Sequence, residues 1–113
     1  MYNSLTLIGR TTDKPDVKTL ESGITVGHLT LAVYRPYRNS NGEFDVDFIP
    51  CVMWNSVAQS AEEYVKKGSL ICVKAYLITK EETITCLNDE GQPFSRKIRG
   101  FDITVEKIIY LKL

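Results

Sequence analysis

Val46-Asp47-Phe48-Ile49-Pro50-Cys51-Val52-Met53-Trp54, then Asn55, then Ser56-Val57-Ala58-Gln59-Ser60-Ala61-Glu62-Glu63-Tyr64-Val65-Lys66-Lys67-Gly68-Ser69-Leu70, is the stretch that decides the fold. The period of its side chains changes at the middle. Up to Trp54 it alternates as a strand does: Ile49, Cys51 and Met53 share one face, while Phe48, Pro50, Val52 and Trp54 share the other. From Ser56, the spacing of Val57, Ala61, Tyr64 and Val65 predicts a helix of about three turns. Ser56 and Gln59 fit a capping box at its start. Lys66-Lys67-Gly68 offers two cations to the negative helix end and a glycine able to take the left-handed stop.

Outward from this stretch, Ser4 to Arg10 and Thr25 to Val33 read as two earlier strands, and Leu70 to Lys80 and Phe101 to Leu111 as two later ones. Asp13-Lys14-Pro15-Asp16 and Glu21-Ser22-Gly23 read as turns, and Asn41-Gly42 favours a tight hairpin joining the second strand to the third. A longer hairpin, turning at Asn88-Asp89-Glu90-Gly91, joins the last two. Three strands, a helix and two more strands give an all-β chain with one helix. The expected architecture is a five-stranded Greek-key barrel with the helix between strands 3 and 4, a single domain over 1–113.

With 113 residues, 43% apolar and 25% charged, the chain has enough side chains for one core. Lys plus Arg and Asp plus Glu both total 14, so bulk charge announces no polyanionic partner. Cys51, Cys72 and Cys86 form no CxxC pair and leave one thiol over in any disulfide scheme, which fits a reducing compartment and gives no metal site. Neither a signal-peptide pattern nor an apolar run near ~18 residues is present, so a soluble, cytoplasmic chain without a membrane partner is expected.

Both faces of the third strand cannot be core in so small a barrel. If Ile49, Cys51 and Met53 point inward, Phe48 and Trp54 point outward, six residues apart. Tyr37 lies near the first hairpin between Arg35 and Arg38, so rings and cations interleave in the manner of a base-stacking surface. The blander alternative makes the two strand rings core or an oligomer contact, Tyr37 loop packing, and each cation a solvated charge. The apolar residues of the fourth strand also occupy both faces: Leu70, Cys72, Tyr76 and Ile78 against Ile71, Val73, Ala75 and Leu77. One of these faces exceeds what a single core needs and predicts an oligomer, or else packing beneath the long hairpin.

Leu7-Ile8-Gly9-Arg10, Leu29-Thr30-Leu31-Ala32-Val33, Asp47-Phe48-Ile49 with Trp54, and Lys66-Lys67-Gly68-Ser69-Leu70 resemble, in order and spacing, the bacterial single-stranded-DNA-binding proteins. The likeness extends to about Lys80 and weakens beyond it. It implies an OB fold that binds and protects single-stranded DNA without reading its sequence, in replication, recombination, repair or DNA uptake. It also implies a homo-oligomer, most often a tetramer, with no cofactor. Three of the family's four stacking positions fall on Tyr37, Phe48 and Trp54. The fourth falls on Glu82, whose carboxylate repels phosphate, so the resemblance implies either the loss of one stacking contact or a shifted ring such as Phe94. Arg10, Arg35, Arg38, Lys67, Lys80, Arg96 and Lys97 are the cations expected to meet phosphate. Pro50 departs from the family's polar or basic residue and predicts a bulge or an edge. The ending at Lys112-Leu113 departs from the family's acidic tail, so recruitment of replication enzymes through such a tail is not expected.

Two rivals remain open at this stage. An enzyme needs a catalytic set; the only histidine, His28, is mid-strand, and Asp45 and Asp47 are a carboxylate pair in a hairpin leg, so no catalytic residue and no metal site are expected. A primosomal-type accessory protein acting through protein contacts, or an RNA-binding OB domain, would share the same fold.

Overall fold

The structure, a computed structural model, describes residues 1–111; the ending at Lys112-Leu113 lies outside the described residues. Its elements are β1 (Leu5–Thr11), β2 (Asp16–Thr19), β3 (Thr25–Arg38), β4 (Phe44–Trp54), α1 (Ser56–Tyr64), β5 (Leu70–Leu87) and β6 (Pro93–Tyr110). The sheet runs β1-β5-β6-β4-β3-β2, and a further pairing of β1 with β3 closes five of these strands into a barrel, as expected of an OB fold. β1 makes that closure by serving two neighbours: it pairs with β5 from Leu5↔Ala75 to Arg10↔Leu70, and its last residues reach β3 at Arg10↔Ala32 and Thr11↔Leu31. β4 meets β6 in parallel at Val52↔Thr104.

Alternation decides what fills the barrel. Leu29 and Leu31 of β3, Cys51 and Met53 of β4, Ile71, Val73 and Ala75 of β5, and Val105 of β6 are buried together. Each large apolar side chain removed from water stabilises the fold by roughly 1.5–3 kcal/mol. The helix α1 seals one end with Ala58 and Ala61, followed by Val65. Small residues are needed there because the helix lies close on β3: a Cβ at Gly27 would sit 3.2 Å from the Ala58 Cβ and 3.0 Å from the Met53 Cε. Burial also pushes the Cys51 thiol up to about 11, so it acts as a small apolar core group.

Four local expectations are corrected. The helix is not started by a Ser56–Gln59 capping box. Its N-cap is Asn55, at a φ of 52° and without a side-chain cap bond. Asn55 is instead tied to the start of β3, donating its N–H to the Thr25 carbonyl (2.8 Å) and accepting from the Thr25 N–H at Oδ1 (3.3 Å). Gln59 also turns to Thr25, donating from Nε2 to its Oγ1 (3.3 Å). The helix does not run to Lys66-Lys67-Gly68 either. It ends at Tyr64, and Val65 turns extended (φ −89°, ψ 129°), which seats its side chain in the core. Gly68 takes its positive φ of 80° in the following turn, closed by Ser69 N–H to the Lys66 carbonyl (3.2 Å). Buried Thr11 holds this turn, donating Oγ1–H to the Lys66 carbonyl and accepting from Ser69 N–H at 3.0 Å.

The third correction is β2. Asp16, read as part of a turn, begins a short edge strand paired with β3 from Asp16↔His28 to Thr19↔Thr25, with Val17 packed on the core. The fourth is the extent of the last two strands, which do not stop at Lys80 or wait until Phe101: β5 and β6 are each 18 residues long and stay paired to Leu87↔Pro93. Their outer halves need no core, because each strand satisfies the other's backbone and the β-branched Thr83, Ile84, Thr85 and Ile98 favour extension. Asn88 to Gly91 forms the turn as expected, with Gly91 at φ 78°.

Pro50 produces an edge and no bulge. It stays in register opposite Thr30, whose carbonyl is taken by the Thr12 N–H (3.0 Å) on the far side. That pair therefore exchanges no bonds, and the proline nitrogen points toward the open margin of β4 beside its single bridge to β6.

Candidate nucleic-acid interface

The outward face of β4 carries Phe48 and Trp54 as its alternation predicts. Phe48 is 66% exposed and Trp54 43%, while Cys51 and Met53 between them are buried. The two rings are six residues apart on one face, about 20 Å along a strand. Small outward residues of β3 flank them: Val26 is opposite Trp54 and Ala32 opposite Phe48. Arg10 is opposite that same Ala32, which puts its strand two positions from Phe48 on the shared outer surface.

Beside Trp54 the open margin of β4 and the base of the β5–β6 hairpin enclose a groove of about 430 Å³, lined by His28, Val52, Trp54, Lys80, Phe101 and Asp102 among others. Its apolar floor and charged rim suit a flat ring with an ionic edge.

Tyr37 is exposed near the end of β3, but the alternation counted from the sequence does not carry through to it. The register shifts between Tyr34↔Val46 and Arg38↔Phe44, so Arg35, Pro36 and Tyr37 bulge out opposite Asp45. The bulge places the first hairpin's cations in defined positions. Arg35 donates Nε and Nη2 to the two carboxylate oxygens of Asp47, both at 3.0 Å, with Asp45 at 3.9 Å. The hydrogen bond from Arg35 holds the Asp47 carboxyl below the usual carboxylate range, and Asp47 holds the guanidinium above its ordinary value, so the pair is intact at neutral pH. Arg38 stands 4.6 Å over the Phe44 ring and donates to the Gly42 carbonyl (2.7 Å). It forms no ion pair among the described residues.

The other cations divide the same way. Lys80 lies between Asp102 (3.0 Å) and Glu82 (3.3 Å), whose hydrogen bonds raise its pKa, and Lys97 is 3.7 Å from Glu81. Arg10 donates to the Gly68 carbonyl (3.0 Å). Lys67 and Arg96 form no ion pair among the described residues. Phe48, Trp54 and Lys80 are thus brought to one side, with Tyr37, Arg35 and Arg38 at its hairpin end. Lys67 stays in the turn after the helix, and Arg96 and Lys97 lie out along the second hairpin.

Phe101, 65% exposed in the Trp54 groove, and Phe44, beneath Arg38, were missed by the sequence reading. Both stand at or just outside the strand boundaries drawn from apolar alternation. Counting the ladder outward from the second hairpin turn would have placed Phe101 within β6.

Comparison with known proteins decides the family. The sequence profile described as "Single-strand binding protein family" matches residues 2–92, from the N-terminus through β5 and its turn. The chain belongs to the single-strand binding protein family. It is 36% identical over 91 residues to "Single-stranded DNA-binding protein B" of Bacillus subtilis, covering 80% of this chain and 77% of that protein. It is 35% identical over 112 residues to the "Single-stranded DNA-binding protein" of Halalkalibacterium halodurans, covering 99% of this chain and 62% of that one. To "Single-stranded DNA-binding protein 2" of Listeria monocytogenes it is 40% identical over 80 residues, 71% of this chain and 50% of that protein. It therefore spans about three fifths and one half of the lengths of the last two. Glu82, where the resemblance leads one to expect a family ring, lies on the face of the hairpin that also carries Lys80, with Ile98 directly across.

Proposed function

We propose that the chain binds single-stranded DNA without reading its sequence and performs no chemistry on it. The observation that carries this reading is the exposure of Phe48 and Trp54 on one barrel face, with the groove beside Trp54, in a member of this family. Tyr37, Phe48 and Trp54 stack bases, which only unpaired bases permit. Arg10, Arg38, Lys67 and Arg96 draw in the phosphates, while Arg35, Lys80 and Lys97 are already shared with carboxylates and contribute less. Glu82 holds Lys80 and leaves the family's fourth stacking position without a ring. The natural setting of such binding is replication, recombination, repair or DNA uptake. Three free thiols suit a reducing cytoplasm, and no helix among the described residues is long and apolar enough to cross a membrane.

A homo-oligomer, most often a tetramer in this family, is part of the proposal. Ile71, Val73 and Ala75 of β5 fill the core, and the outward side of β1, β5 and β6 carries Ile8, Cys72 and Ile109 in one row, with Ile8 and Ile109 exposed. Burying that patch against a second copy removes it from water.

Arg38→Ala is expected to flatten the plot of log affinity against log salt by about 0.7, the release of one counterion from a single strand. Arg35→Ala is expected to flatten it by less, because Asp47 already neutralises that guanidinium. Asp47→Asn is expected to steepen it. Titrations of oligo-dT at four salt concentrations measure all three. Comparing oligo-dT with duplex DNA and RNA tests the reading itself. Preference for duplex would refute it, and capture of protein partners without DNA affinity would favour an accessory role.

A further inference from the structure

The ladder fixes which outward side chains flank the two rings. Phe48 is opposite Ala32, and Ala32 is opposite Arg10 of β1. Trp54 is opposite Val26, and Val26 is opposite Lys18 of β2, which points outward because Val17 beside it packs on the core. Between these two rows Thr30 is opposite Pro50, and His28 is opposite Val52. On its other side His28 faces Asp16 of β2. His28 is exposed and lines the groove that Trp54 lines, as its diagonal neighbour about 7–8 Å away across the β3–β4 ladder.

We propose that the sugar-phosphate backbone of a bound strand runs on the β2–β3 side of Phe48 and Trp54, with His28 and Lys18 as phosphate contacts, and not on the side of Lys80. This rests on the single-strand-binding reading given above. The rings take only the bases, so the phosphates between them pass along one flank or the other, and the balance of charge separates the two. On the β2–β3 side Arg10 and Lys18 stand against one carboxylate, Asp16, before His28 is counted. Neither cation forms an ion pair among the described residues, and the one bond recorded for Arg10 is to the neutral Gly68 carbonyl. Across the groove the sign reverses: Lys80 is held by Asp102 at 3.0 Å and Glu82 at 3.3 Å, two carboxylates against one cation. A neutral imidazole donates one N–H and a protonated one donates two and adds a charge, so a phosphate at His28 ties binding to pH. The charged groups facing His28 are Asp16 and Lys18 from β2, and Asp102 of β6 with Lys80 of β5 across the groove; β4 presents only Pro50, Val52 and Trp54. Protonation adds a positive charge to the backbone's flank, so affinity rises as pH falls.

The test compares the unmodified protein with His28→Gln, Lys18→Ala and Lys80→Ala, each titrated with oligo-dT over a range of salt at about pH 5.5 and about pH 8, either side of the range in which histidine ordinarily changes charge. The plot of log affinity against log salt is expected to be steeper by about 0.7 at the lower pH in the unmodified protein, the equivalent of one added phosphate contact on a single strand. His28→Gln should give the same slope at both pH values. Lys18→Ala should flatten the slope by about 0.7 at both, and Lys80→Ala should leave it near the parent's. All three side chains are exposed, so the variants should melt with the parent. If the unmodified protein binds with Trp54 quenched, three results overturn the inference: a slope that does not change with pH, a pH dependence that survives in His28→Gln, or a slope flattened by Lys80→Ala and not by Lys18→Ala. If the unmodified protein does not bind oligo-dT at either pH, the reading beneath it has failed.

Discussion

Trp54→Ala is expected to weaken binding of oligo-dT by about 1–3 kcal/mol, roughly 5- to 150-fold, the range known for removal of one stacking ring from a single-strand-binding protein. Trp54 stands at the end of β4 opposite Val26, 43% exposed, with the buried Met53 beside it facing inward. Removing the indole empties one wall of the groove and leaves the barrel core untouched, so the variant should melt near the parent temperature. Stacking transfers no charge, so the slope of affinity against salt should stay close to the parent's, in contrast to Arg38→Ala. Equilibrium titrations at several salt concentrations, with a melt of each variant, measure both quantities. A folded Trp54→Ala protein that binds as tightly as the parent would remove this ring from the site.

Gly9→Ala is expected to destabilise the fold by about 1–3 kcal/mol or more, lowering the melting midpoint by roughly 4 °C for each kcal/mol. A Cβ at position 9 would lie 2.5 Å from the Ala32 carbonyl oxygen and 3.0 Å from the Val33 Cγ2. The first of these is backbone and has no rotamer to escape into, so β1 must move away from β3 where the barrel closes. The same shift would disturb Arg10↔Ala32, and through Ala32 the strand that carries Phe48. A weaker affinity should therefore accompany the lower midpoint. Gly100→Ala is the control: its Cβ would meet nothing nearer than the Lys80 Cε at 3.5 Å, an ordinary contact, and should change the midpoint little. A Gly9→Ala protein as stable as the parent would mean that β1 has room to slide.

What was legible in the sequence was what alternation and burial decide together. Alternation sorted Ile49, Cys51 and Met53 from Phe48 and Trp54 in β4, and the burial of Cys51 and Met53 decides which set faces the core. The helix was legible for the same reason, although its ends were not. Ser56 and Gly68 have the right chemistry for caps, but Asn55 is drawn to Thr25 and Val65 to the core, and tertiary contacts outweigh a local capping preference. The turn of the second hairpin was legible, but the length of its strands was not, because their outer halves rely on each other and Thr83 to Leu87 looks like a polar loop until its partner is known. The site divided along the same line. Phe48 and Trp54 followed from a strand period, whereas the bulge at Arg35 to Tyr37 and the partnering of Arg35 by Asp47 depend on register.

The central claim, that Trp54 lies against unpaired bases, is tested most directly by its own fluorescence, since it is the only tryptophan in the chain. Titration with oligo-dT and then with duplex DNA of equal length should quench the emission strongly with the first and little with the second. Emission that is unchanged by oligo-dT, or quenched equally by duplex, would contradict the account.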